Sequence, residues 1–186
     1  MIINWTHSLT EQLDWHWRQQ FRPRLEGLTD DEYFWEPVEN SWSLRPRGQG
    51  RAALSAGSGD LVIDYEFPEP RPTPVTTIAW RLAHIIVAVF GGRVAGHFGG
   101  PPVEYETFEY AETAANALRQ LDDGYAAWFE GVTSLGDEEL AQPCGPSEGP
   151  FADAPMADLV LHINREAIHH GAEIALLRDL YANRTS

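Results

Sequence analysis

His162-Ile163-Asn164-Arg165-Glu166-Ala167-Ile168-His169-His170-Gly171-Ala172-Glu173-Ile174 sits at the centre of the stretch from Pro155 to Tyr181 whose reading decides the fold. Inside that stretch only Gly171 is a helix breaker, and apolar residues recur at Met156, Leu159/Val160, Ile163, Ala167, Ile174, Leu177 and Tyr181. That is the 3.6-residue period of a helix with one face in a core. With His170 at zero on a wheel of about 100° per residue, Ile163, Ala167, Ile174 and Leu177 fall between about −20° and about 60°, and Glu166 at about −40°. The sequence therefore places an imidazole and a carboxylate, one turn apart, in the stripe that should be buried. An ionised carboxylate is costly to bury unless it is paired, hydrogen-bonded or bound to a metal. This conflict with ordinary core chemistry marks a candidate site.

Working outward, three further helices are expected. The first runs from about Thr6 to about Leu25, with Trp5, Leu9, Leu13, Trp17 and Phe21 as its inner stripe, and a short turn at Thr29–Trp35 follows it. The second runs from Pro74/Val75 to His97; it is apolar nearly all round and therefore central, and Gly91-Gly92 should bend it or allow close packing. The third spans about Thr107 to Ser134, with Ala114, Leu118, Leu121, Tyr125 and Phe129 facing in. Pro143 to Pro150 reads as linker. Residues 38–73, rich in Gly, Pro, Ser and Arg, carry no helical period; Leu61 to Phe67 within them is a candidate strand, and the insertion should cover one end of the bundle. The expected architecture is all-α: one domain over residues 1–186, a four-helix bundle with a long loop and short β insertion between helices one and two.

Composition narrows the function classes. Twenty-eight acidic against thirteen basic residues give a net charge of −15, and the arginines are dispersed, so a nucleic-acid partner is not expected. No apolar run reads as a membrane span, so no membrane partner is expected, and the polar N-terminus does not resemble a signal peptide. The single cysteine, Cys144, leaves no internal disulfide and fits a cytoplasmic location. A small-molecule substrate is the expected partner. Bundles of this kind often pair through an exposed helix face, so a homodimer through helix three or the insertion is a further expectation.

A second ionisable residue intrudes on an apolar face. His84, in Trp80-Arg81-Leu82-Ala83-His84-Ile85, shares its side of helix two with Trp80, Ala88 and Gly91. Two imidazoles and a carboxylate from His84, Glu166 and His170 would suit zinc, nickel or ferrous iron, and three protein ligands leave a position for water or substrate. Glu166 and His170 converge because residues i and i+4 stack on one helical face.

Those two segments together resemble the DinB/YfiT-like superfamily of metal-binding four-helix bundles, which includes the N-terminal domain of mycothiol-dependent maleylpyruvate isomerase. The resemblance implies a divalent metal, zinc foremost with nickel or iron as alternatives, held by His84, Glu166 and His170. The commoner pattern has histidine where this chain has Glu166; the isomerase branch is similar to this chain in using glutamate. The resemblance also implies a low-molecular-weight thiol as cosubstrate, and either thiol transfer or a thiol-dependent isomerisation. Hydrolysis is the alternative chemistry, and a non-catalytic bundle with a structural or vestigial metal is the alternative function. No catalytic residue beyond the ligands is identifiable.

Neighbouring residues have competing readings. Glu166 could instead pair with Arg81 or Arg165. His162 is placed at the stripe's edge and His169 against another helix. Glu173 could accept the free N–H of a ligating imidazole. Arg45, Arg47 and Arg51 read as solvated loop charges, with contact to an anionic substrate as the alternative. His7, His16 and His97 receive no role.

Overall fold

A computed structural model describes residues 3–184. Helix α1 covers residues 5–24, with an α-helical stretch Trp5–His16, a wider π-helical turn Trp17–Phe21 and a last turn Arg22–Arg24. Asn4 caps it by accepting the His7 N–H. Leu9, Leu13, Trp17 and Phe21 are all buried. A repeat of four residues overshoots the 3.6-residue turn, so a uniform α-helix would swing these side chains off the core; the π turn absorbs the drift. Trp5 belongs to the same spacing but is exposed, which corrects the expected stripe at its first member. A single-turn helix α2, Asp30–Tyr33, follows with Thr29 as its cap.

The segment that carries no helical period folds into a small antiparallel sheet of β1 (Leu44–Pro46), β2 (Leu54–Ala56) and β3 (Leu61–Tyr65), in the order β1-β3-β2. Leu61, Val62, Ile63 and Asp64 of the central strand are all buried. The Asp64 carboxylate is held by the Arg45 guanidinium at 2.7 Å and accepts the Ser43 and Arg51 backbone N–H groups at 3.2 Å and 2.8 Å. Arg45 is thus a buried ion-pair partner rather than a solvated loop charge. Arg51 pairs with Glu36, and Arg47 donates to the carbonyls of Gly57 and Gly59. None of the three forms an ion pair with a residue of the candidate site.

The insertion does not merely cap the bundle. It docks on α3 (Ile78–His97), where the Trp80 indole donates to the Asp64 carbonyl at 2.7 Å and Trp42 packs against Trp80. Helix α3 begins at its Thr77 cap, contains a π-helical run Ile85–Gly91, and lies at the centre of the bundle. A Cβ on Gly91 would fall 2.9 Å from Val103 and 2.7 Å from the Ile86 carbonyl, so glycine here permits the close packing anticipated for the Gly-Gly pair. By length and composition this helix could cross a membrane, which corrects the reading that no run qualifies; 56% of its apolar window is buried inside the bundle.

Helix α4 is Ala114–Thr133, beginning seven residues later than its sequence suggests. Thr113 and Asp30 take the N-terminal N–H groups of Asn116 and Ala114, while Tyr110 and Ala111 are already committed to the core outside any helix. The preceding loop thereby carries Tyr105 toward α3. A one-turn helix α5 (Asp137–Leu140) and a 3₁₀ segment Pro146–Phe151 lead to α6, Met156–Ala182. Ile163, Ala167, Ile174 and Leu177 of α6 are buried, as the wheel requires. The all-helical bundle with a short β insertion is the architecture expected.

Candidate metal centre

His84 projects from the middle of α3 and His170 from the middle of α6, and their rings meet edge to face with centroids 4.7 Å apart. Each ring is fixed through Nδ1. His84 Nδ1 is 2.6 Å from the Tyr105 hydroxyl, and His170 Nδ1 donates to Glu173 Oε2 at 2.7 Å. The Trp80 indole stacks on His84, 5.5 Å between centroids and 13° from parallel. Because Trp80 is itself tied to Asp64, the sheet sets one wall of the site. Close by on α6, Gly171 gives the Phe21 ring room to lie against the backbone; an added Cβ would be 3.1 Å from it.

Glu166 approaches His170 Nε2 with Oε2 at 3.5 Å. Its other oxygen lies 3.6 Å from His162 Nδ1 and 3.7 Å from Arg165 Nε. Its side chain is 29% exposed, so the carboxylate is at the border of the buried stripe and not within it. The alternative partner Arg81 goes instead to Glu173, at 3.1 Å. His162 is half-exposed at the edge of the stripe, as its wheel position suggests.

The protonation states follow from burial. Burial, reinforced by His170 and Arg81 and opposed by Glu173, pushes the His84 imidazole down to about 3, so it is neutral. A neutral imidazole with Nδ1 engaged can offer Nε2 to a cation. Burial raises Tyr105 well above the ordinary phenol range, so its hydroxyl stays protonated. Burial alone would raise Glu173, but the hydrogen bond from His170 and the charge of Arg81 outweigh it and hold the carboxyl below its usual range.

The donor types of His84, Glu166 and His170 suit a divalent ion, and both imidazoles are braced at Nδ1 as ligating histidines commonly are, but the three do not form a group whose ligand atoms all lie within 4.8 Å of one another. Sequence reasoning understated one neighbour. Among the described residues, one group of three His, Cys, Asp or Glu side chains has all its candidate ligand atoms within 4.8 Å, and it is His169, His170 and Glu173. His169 is exposed and lies 3.6 Å from Glu173, so its expected packing against another helix is corrected. The signal for it was present: residues 169 and 173 are one turn apart on the face adjoining the buried stripe. For Tyr105 there was no signal, since it reaches His84 across 21 residues from an aperiodic loop.

Residues 12–174 match the DinB superfamily, a span that begins within α1, ends within α6 and includes His84, Glu166 and His170. The chain belongs to that superfamily. No curated protein and no solved structure matches it.

Proposed function

We propose that this DinB-superfamily protein holds a divalent transition metal through His84, Glu166 and His170 and acts on a small molecule. The observation that carries this reading is the meeting of His84 and His170 at 4.7 Å, with Glu166 3.5 Å from the His170 Nε2. Such a metal, zinc foremost with nickel or iron as alternatives, lowers the pKa of a bound water or thiol and so supplies a nucleophile at neutral pH. Two imidazole ligands and one carboxylate would leave the ion a net charge suited to a thiolate, and the resemblance to the isomerase branch suggests thiol transfer or a thiol-dependent isomerisation, with hydrolysis as the alternative.

The chain's own residues supply positioning. Tyr105 fixes the His84 ring, and Glu173, itself held by Arg81, fixes His170. Trp80 shields one face of His84 from water, which keeps that imidazole neutral. A second reading places the ion on His169, His170 and Glu173, whose ligand atoms are already grouped. It spends Glu173 on the ion, although that carboxylate is engaged with Arg81, and it relies on an exposed histidine.

Elemental mass spectrometry on untagged protein separates these. The proposal expects about one equivalent of metal in the parent, lost in His84→Ala and His170→Ala and kept in His169→Ala. Loss in His169→Ala with retention in His84→Ala would move the site to the second cluster. A metal-free parent, even after anaerobic incubation with zinc, nickel or ferrous iron, would leave a buried polar network or a non-catalytic bundle. A screen for conjugation of low-molecular-weight thiols to electrophiles then tests the chemistry.

A further inference from the structure

Beyond Glu173, α6 forms the floor of an open cleft of about 690 Å³. Leu176 and Leu180 line it from α6, Val38 from the segment after α2, and Val75 from the segment before α3. These four are 59%, 47%, 51% and 45% exposed, so large apolar side chains from three parts of the chain are left in water at one place. A contiguous apolar patch on a protein surface marks a place where something binds. The cleft also borders the candidate centre: Arg81 and Glu173 are among its lining residues, and Glu173 is 2.7 Å from His170.

Charge narrows the occupant. The protein carries −15 overall, yet the ionisable groups lining this cleft are Arg81, Arg184 and the single carboxylate Glu173. Arg81 is occupied by Glu173 at 3.1 Å, with Glu69 adding to the acidic surroundings. Arg184, at the outer end, lies over the Tyr181 ring and donates to the Tyr181 carbonyl, with no carboxylate of the described residues as its partner. At about 1.5 Å per residue, α6 runs roughly 13 Å from Glu173 to its last residue, Ala182, with Arg184 just beyond. The cleft is a long apolar trough with a cation at the outer end and the Arg81–Glu173 pair, beside His170, at the inner end.

The geometry points to an amphiphilic carboxylate as the ligand. Its apolar body lies on Leu176, Leu180, Val38 and Val75, its carboxylate pairs with Arg184, and its opposite end reaches Arg81 and Glu173. This rests on the metal-centre reading only for the group presented to His84 and His170; the trough and its cation stand independently.

The test is calorimetric titration of untagged protein, metal-loaded and chelator-treated, with hexanoate, octanoate, decanoate and the neutral octanol. Affinity should rise about fourfold per added methylene. Octanol should bind at least about tenfold more weakly than octanoate, given the strength of a charge-assisted contact. Arg184→Gln should bring octanoate down to the octanol level, and Leu176→Asp should abolish binding of all three acids. Leu161→Asp, at an equally exposed position of α6 outside the cleft, should bind as the parent does, with circular dichroism confirming that each variant folds. The inference falls if affinity is independent of chain length, if Leu161→Asp is as damaging as Leu176→Asp, or if octanoate binding survives Leu176→Asp. It also falls if sedimentation velocity shows that Leu176→Asp dissolves a dimer while alkanoate affinity is unchanged, since the trough would then face a second copy. Alkanoate binding by a parent that takes up no metal would keep the trough and sink the metal centre; metal uptake without alkanoate binding would do the reverse.

Discussion

Two histidines on α3 are withdrawn from water and do opposite things. His97, at the C-terminal end of the helix, donates from Nε2 to Glu148 at 2.8 Å, and Arg93 lies 3.3 Å from the same oxygen. Both members of the His97–Glu148 pair are nearly sealed from solvent. The cluster pins the 3₁₀ segment Pro146–Phe151 to the helix end, where cations also complement the helix dipole. His84, in the middle of the same helix, has no carboxylate bonded to it among the described residues. Its hydrogen-bond partner is a phenol, its ring is stacked on an indole, and its edge faces another imidazole. Burial therefore does not distinguish a structural histidine from a candidate ligand. What distinguishes them is whether the local partners already consume the nitrogen that a ligand would use.

The strongest test of that contrast removes one ring at a time. In His84→Ala, metal affinity should fall by more than about 100-fold, exceeding the 10- to 100-fold typical of losing a supporting residue. His97→Ala should bind metal as the parent does. Equal metal loss in both variants, measured by competition with a chromophoric chelator, would erase the distinction.

A smaller effect is expected from Tyr105→Phe. Removing the hydroxyl frees the His84 ring to rotate while leaving its Nε2 available, so affinity should drop by about 10- to 100-fold with little loss of stability. The same chelator competition reads this out. An unchanged affinity would mean that Trp80 stacking alone fixes the ring.

For His97→Ala the cost should appear in folding instead. Glu148 is left buried with only Arg93 nearby, and an unsatisfied buried acceptor costs about 1–3 kcal/mol. Urea unfolding should show that loss without a change in the dependence on denaturant. A loss below about 0.5 kcal/mol would mean that the 3₁₀ segment is anchored by other contacts.

How much of this could be read from the residues depends on the range of the interaction. The buried face of α6 was legible because Ile163, Ala167, His170, Ile174 and Leu177 repeat at helical spacing, and spacing is a local property. His84 was legible for the same reason, as a polar residue on an apolar face. The support for these residues was not. Tyr105 lies in an aperiodic loop, and the start of α4 is set by Thr113, Asp30 and the buried Tyr110, which override the weak helical pattern before Ala114. Arg45 looks solvated in a Gly-rich segment and is buried only because β1 and β3 pair to bring Asp64 beside it. Glu166 was placed a little too deep, since a wheel gives direction but not the depth at which a neighbouring helix ends.

The smallest expected effect concerns a third histidine, and it isolates burial without a partner. His16, in the last turn of the Trp5–His16 helix, has a buried Nε2 with no hydrogen-bond partner among the described residues, and it stacks on Phe21. Burial holds its pKa below 6.5. In the unfolded chain the ring takes up a proton near 6.5, whereas the folded chain resists doing so, so below that pH the unfolded state binds more protons and stability falls as the solution is acidified. Each such group contributes at most about 1.4 kcal/mol per pH unit. His84 acts with the same sign over the wider window from 6.5 to about 3. In chelator-treated protein, His16→Leu should therefore lose less stability than the parent between pH 7.5 and pH 5.5, by less than that ceiling, as read from urea unfolding at each pH. A parent whose stability is flat over this interval would show that His16 reaches water on protonation, and that His84 is better solvated than its indole and imidazole neighbours imply.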